Sequence, residues 1–159
     1  MATATTLPAF LDAFRDSLAT RAGLYGVTIV TASTDVQTLG KEYIALSVPP
    51  TDVPFAYRTL PRGEISERYA IEGAVLITKP GAGEAVISAA RIRAAAIFGE
   101  VLAELREKSP DRVAGQAAYG VDDVECSGWK LEQYAIDGGR EARLIFTLVV
   151  QAKFTPTTS

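Results

Sequence analysis

The stretch VLITKPGAGEAVISAA, Val75 to Ala90, runs a β-type segment into Pro80, a Gly81-Ala82-Gly83 turn and the start of a helix. In that layout the backbone N–H groups at a helix start can cradle phosphate. The side chains argue against it. A Walker-type loop needs a Lys and a Ser or Thr after its last glycine, and here Gly83 is followed by Glu84 and Ala85. The dinucleotide fingerprint needs a third glycine where Val86 stands, within an alternating strand and helix pattern that this chain lacks. Glu84 also sets a carboxylate in the first turn, where it neutralises the positive helix end. The glycines read as a tight strand-to-helix turn.

The remaining inventory narrows the chemistry further. There is no histidine, and Cys126 is the one cysteine. The commonest general base, the usual partner of a Ser or Cys nucleophile, the usual zinc ligand sets and an intramolecular disulfide are therefore all out of reach. Carboxylate or lysine chemistry stays open. The one adjacent acidic pair, Asp122-Asp123, flanks a strand start, where an extended backbone points the two side chains to opposite faces. Cys126 reads as a small apolar core residue and Trp129 as a core or interface aromatic. Arg91 and Arg93 read as solvated helix residues or as one side of an inter-subunit salt bridge. We assign no catalytic, cofactor-binding or metal-ligating residue, and no cofactor.

At 159 residues, 48% hydrophobic and 22% charged, the composition is that of one globular domain, residues 1–159, with a polar tail at 155–159. Sixteen Lys and Arg against nineteen Asp and Glu give a net charge of −3 without a basic cluster, which disfavours holding nucleic acid through its phosphates. No run of about twenty apolar residues is present. MATATTLPAFLDAFRD lacks the basic start and apolar centre of a secretion signal, so the expectation is folding in the cytoplasm where the chain is made.

Leu7, Phe10, Leu11, Phe14 and Leu18 fall on one helical stripe, with Thr5 or Thr6 able to cap its start, Pro8 in its first turn and Gly23 at its end. GVTIVTAS (Gly26 to Ser33) and KEYIALSV (Lys41 to Val48) read as strands joined by a turn-prone segment. Pro49 to Ile65 carries four prolines and two aromatics and reads as a long loop. SERYAIEGAVLIT alternates Glu67, Tyr69, Ile71, Gly73, Val75 and Ile77 against Arg68, Ala70, Glu72, Ala74 and Leu76, as one long strand solvated at its N-terminal end. Glu84 to Lys108 reads as a helix of roughly 37 Å, thinned in its middle by alanines. Ser109-Pro110 ends it, and DRVAGQAAYG connects onward as a variable-looking segment. The last third reads as a hairpin turning at Asp137-Gly138-Gly139, whose return strand puts Ala142, Leu144, Phe146, Leu148, Val150, Ala152 and Phe154 on a dry face.

The fold class is α+β: a mostly antiparallel sheet of about five strands packed against the long Ala-rich helix and the N-terminal amphipathic helix. With no site for chemistry, the long loop draws attention. Phe55, Tyr57, Arg58, Leu60, Arg62 and Glu64 have the aromatic and arginine content that interfaces favour.

In its order of elements the chain resembles the tail-terminator, or tail-completion, proteins of long-tailed bacteriophages. The resemblance is carried by an amphipathic helix leading to VTIVTA, the strand EYIALSV, a long loop, ERYAIEGAVLIT running into SAARIRAAAIFGEVLAELRE, and the hairpin GWKLEQYAIDGGREARLIFTLVVQAKF. It spans about Leu7 to Phe154 and rests on layout, not on a motif. The resemblance implies a virion protein without catalytic residues. It would form a ring, usually of six copies, at the head-proximal end of the tail tube, end tube polymerisation and offer a docking surface to head-completion or stopper proteins. DNA would pass through the lumen without sequence-specific binding, and no membrane is involved. Another head-tail connector or neck protein of the same assembly shares this layout. A competing expectation from the residues is a small-molecule-binding α+β enzyme, with Tyr69, Trp129 and Tyr134 lining a cavity and Glu67 or Glu72 as acid or base.

Overall fold

The computed structural model describes residues 5–31, 41–47, 55–59, 63–108, 119 and 121–155. Helix α1 (Leu7–Ala19) buries Phe10, Phe14 and Leu18 on successive turns, as the stripe in the sequence requires. Thr5 Oγ1 accepts the Leu7 N–H at 3.2 Å, and a 3-10 turn at Ala22–Leu24 follows the helix. Gly23 sits inside that turn, where a Cβ would lie 2.5 Å from the Glu100 side chain, and does not end the helix.

The sheet has six strands, one more than the sequence pattern counts: β1 (Thr28–Val30), β2 (Glu42–Ser47), β3 (Phe55–Thr59), β4 (Glu64–Pro80), β5 (Asp123–Ile136) and β6 (Gly139–Phe154). Along one path they run β1-β2-β4-β6-β5, with β3 also paired to β4. All neighbours are antiparallel except β1 and β2, which are parallel with Ile29 beside Ile44. A parallel pair needs a crossover and cannot be closed by a tight turn. The turn-prone residues 33–40, and residue 32 before them, lie outside the described residues.

The Pro49 to Ile65 stretch is not wholly a loop. Phe55 to Thr59 is a proline-free run between Pro54 and Pro61, and it pairs with Glu64 to Glu67 in a hairpin irregular at Arg58. Strand β4 is the spine: β6 covers one of its edges from Ile65 to Pro80, while β3 and β2 occupy the other in tandem.

Helix α2 (Glu84–Lys108) has the bounds the sequence predicts. Both helices lie on one face of the sheet, over Tyr69, Ile71, Val75 and Ile77 of β4 and the even-numbered residues of β6. Ala90, Ala94, Ile97 and Val101 face inward with no exposed surface, so the alanines let α2 sit close on the strands. Leu102 points out and is 40% exposed. Where α2 crosses the spine, Gly73 lies opposite Phe146, whose ring occupies the space a β-carbon would take.

Candidate functional site

The Gly81–Gly83 turn is built for chain reversal. Both glycines have positive φ, 103° and 102°, a region that side-chain-bearing residues rarely enter. The Gly81 N–H is spent on the Gly138 carbonyl of the β5–β6 turn at 3.0 Å, which ties the start of α2 to the final hairpin. The shallow groove in front of it, about 390 Å³, is lined by Glu84, Tyr134 and Arg140 among others.

The residues of the competing enzyme reading do not converge. Tyr69 is buried in the helix-covered core, edge-on to Phe10 at 6.4 Å. Trp129 stands beside Phe146 on the same face, 62% exposed, with its ring 6.2 Å from Phe98. Tyr134, five residues on, is on the opposite face of the sheet beside Glu141. Glu72 is exposed on the opposite face of β4 from Glu67. Glu67 itself, expected at a solvated strand end, is 1% exposed. Its carboxylate accepts bonds from Thr5 Oγ1 at 2.9 Å, the Thr6 N–H at 2.7 Å and Thr6 Oγ1 at 2.5 Å. Thr6 Oγ1 also shares a 3.0 Å hydrogen bond with the Tyr69 hydroxyl, whose pKa burial pushes up to about 12.

Glu67 is therefore a clasp that fixes the start of α1 to β4. Its removal strands the Thr6 N–H, an end-of-helix donor with no other partner among the described residues. We expect Glu67→Ala to destabilise the fold by about 1–3 kcal/mol, the penalty for an unsatisfied buried polar group. Urea unfolding measures it, and a change below about 0.5 kcal/mol would show that the clasp is idle.

A second polar cluster joins α1 to the far end of α2. Arg21 donates to Glu100 at 2.9 Å, to Glu104 at 2.9 Å and to Glu107 at 2.7 Å. Glu104, only 3% exposed, also accepts hydrogen bonds from Ser17 Oγ and, at 2.8 Å, from the Tyr119 hydroxyl. Tyr119 holds a left-handed φ of 58°, and its ring stands edge-on to Phe10 and Phe14. A non-glycine residue in that region is sustained only by what surrounds it. Burial pushes the Glu104 carboxyl upward, but the Ser17, Tyr119 and Arg21 donors outweigh it and leave the pKa below the ordinary carboxylate value. The Tyr119 hydroxyl is raised by burial and by its bond to Glu104. The buried Glu67 and Glu104 carboxylates are thus committed to internal donors. Among the described residues, no three His, Cys, Asp or Glu side chains are grouped to hold a metal ion, and no helix is long and apolar enough to cross a membrane.

Of the other residues singled out in the sequence, Arg93 is engaged within its own chain, bidentate to Glu42 at 2.7 and 3.1 Å. Cys126 is half-buried against the core at a bulge in β5, its thiol 3.6 Å from the Gly128 carbonyl. Asp122 is exposed beside Lys153, and β5 begins at Asp123.

Of the residues expected at an interface, Phe55, Tyr57, Arg58 and Glu64 fall on the β3–β4 hairpin. The backbones of Phe55, Tyr57 and Arg58 belong to β3 and that of Glu64 opens β4, with Phe55 opposite Glu67 and Tyr57 opposite Ile65. Their side chains, and Leu60 and Arg62 altogether, lie outside the described residues. The hairpin leaves open the β4 edge between the β3 and β2 pairings, residues 68–71, where no described strand pairs. The two borders of the sheet, β1 and the 14-residue β5, likewise have no further described strand beside them.

No family model and no curated protein matches the chain. Among solved structures it is similar to a chain from the virion of a native gene transfer agent particle, at 16% identity, covering 94% of this chain and 100% of that one, with a TM-score of 0.43. A likeness of that degree identifies neither a family nor a function.

Proposed function

We propose that the chain is a non-enzymatic subunit of a phage-type virion. In this reading it joins copies of itself head to tail in a closed ring, of six, that caps the head-proximal end of a tail tube, ends its growth and receives the head-completion protein. The observation that carries the reading is the sheet's pair of unlike borders, each without a further strand among the described residues. A 14-residue strand bounds one side, and the three-residue β1 with the β3 hairpin bounds the other. Unpaired strand borders invite pairing, and contact between unlike borders is heterologous, so it closes into a ring when the rotation allows. The same order of elements, with β3 added inside the former loop, underlies the resemblance to tail terminators. Phe55, Tyr57, Arg58, Leu60, Arg62 and Glu64 are assigned to contacts with neighbouring subunits and tube. The internal commitment of Glu67 and Glu104 leaves neither carboxylate poised for proton transfer.

The test is light scattering and electron microscopy of the chain alone and with its tube protein. Expected are rings near six times 16.9 kDa, free or seated on tube ends, and tubes that stop growing when the chain is present. Arg58→Glu with Arg62→Glu should weaken seating without lowering the melting temperature. Monomer under both conditions, with tube length unchanged, would falsify the reading.

A further inference from the structure

Helix α2 is apolar on both sides, and only one side meets the sheet. Its outer face carries Ala89, Ile92, Ala95, Ala96, Gly99 and Leu102, all exposed, with Ile92 at 66%. A helix that is apolar all round is normally buried all round. The outer residues recur every seven positions, as Ala85, Ile92 and Gly99, as Ala95 and Leu102, and as Ala89, Ala96 and Ala103. Period seven keeps a seam turned toward a second helix crossing at about +20°. Gly99 is the independent sign. It has no positive φ, and a β-carbon there would meet nothing within 4 Å, so nothing in the packing of the described residues calls for glycine in mid-helix. Glycine weakens a helix relative to alanine, and close approach from outside would account for it.

We propose that this face binds a second copy of the chain, α2 packed antiparallel on α2 about a two-fold axis near Ala95 and Ala96. Charge sets the direction. Glu84 begins the helix and Arg106 stands near its end, both exposed, so antiparallel packing brings each Glu84 within about a turn of Arg106 on the other copy. Parallel packing would set like charges and like helix ends together. The same direction puts Ile92 of one copy opposite Gly99 of the other and within about a turn of its Leu102, around a waist of small residues that lets the backbones approach. Exposed Trp129, resting on Phe98, extends the apolar surface along one side. A seam roughly 37 Å long and about 10 Å wide is smaller than the roughly 800 Å² per partner of stable complexes, so the dimer is reversible. This two-fold contact is separate from the head-to-tail contact of a ring and does not rest on it.

In a Cys126→Ser background, mild oxidation should link Ala95→Cys or Ala96→Cys into a species of twice 16.9 kDa, and should leave Ala85→Cys unlinked. Sedimentation should show Glu84→Arg and Arg106→Glu each weakening association at least five-fold, and the double reversal restoring it. These positions are exposed, and thermal melts check that every variant is folded. The proposal is overturned if the central cysteines link no better than Ala85→Cys, if the double reversal associates no better than the single ones, or if the chain stays monomeric until another protein is added. Rings that form without the central cross-link would remove this contact and leave the ring.

Discussion

Replacing Arg21 by Ala is expected to destabilise the chain by about 3 kcal/mol, the lower end of what breaking a buried ion pair costs. The loss arises at Glu104. Among the described residues Arg21 is the one cation donating to that carboxylate, which is 3% exposed between α1, α2 and Tyr119. Without the guanidinium a buried charge remains with two neutral donors, Ser17 and Tyr119. The Glu107 contact is at the surface and adds little. For a chain of this length the expected fall in melting temperature is roughly 6–12 °C. Glu104→Gln in the Arg21→Ala background should recover part of it, because the amide oxygen still accepts from Ser17 and Tyr119 while the stranded charge is gone. A double variant no more stable than Arg21→Ala alone would mean that Arg21 acts by packing its stem, and the electrostatic account would fail.

The same cluster fixes a pH dependence. The Glu104 pKa is lowered in the folded chain, against about 4.3 unfolded, so the unfolded state binds the proton first. The stabilisation is fully present above about pH 4.3 and is lost as pH falls through the lower folded value. Unfolding free energy should therefore drop more steeply between about pH 5 and 3 for the parent than for Glu104→Gln. Parallel acid limbs would assign the acid sensitivity elsewhere.

The sequence was most legible where side-chain periodicity and backbone demands agree. Phe10, Phe14 and Leu18 are buried as their spacing requires, α2 begins after Gly83 and runs to Lys108, and the even-numbered side chains of β6 form its buried face. Gly138 supplies the positive φ, 73°, at the hairpin turn. Strand direction was not legible, because alternation fixes which residues share a face and says nothing of whether β1 runs with β2 or against it. The β3 strand was hidden by prolines that bracket it without interrupting it. The burial of Glu67 and Glu104 was not legible, because a lone acidic residue is usually solvated; only the fold brings them Thr5, Thr6, Arg21 and Tyr119 from distant positions. Tyr119 belongs to a segment read as a variable connection, and its role depends on a backbone conformation that its residue type does not announce. The proposed contact surfaces were half legible. The unusual composition of Pro49 to Ile65 was visible, but the outward turn of Ile92 and Leu102 appears only once the inner face of α2 is known.

Gly73→Ala should be nearly as damaging as loss of Arg21, and for a different reason. The added β-carbon would lie 2.1 Å from Phe146 Cζ and 2.4 Å from Cε2, well inside contact distance. Such a clash is mild when the neighbour can swing away. Phe146 cannot readily do so: it is 1% exposed, and the Phe98 ring of α2 lies 5.2 Å from it, tilted by 33°. Moving the ring would lift α2 from the spine of the sheet, so the cost belongs near the top of the overpacking range, about 3 kcal/mol. Phe146→Leu alone leaves a cavity and also destabilises. In combination with Gly73→Ala, however, the smaller side chain vacates the space that the new methyl enters. The two changes should therefore couple favourably by about 1 kcal/mol or more in a double-mutant cycle measured by chemical denaturation. Strict additivity, or a Gly73→Ala chain within about 0.5 kcal/mol of the parent, would show that the ring rests there by choice and that the glycine is not what seats α2 on the sheet.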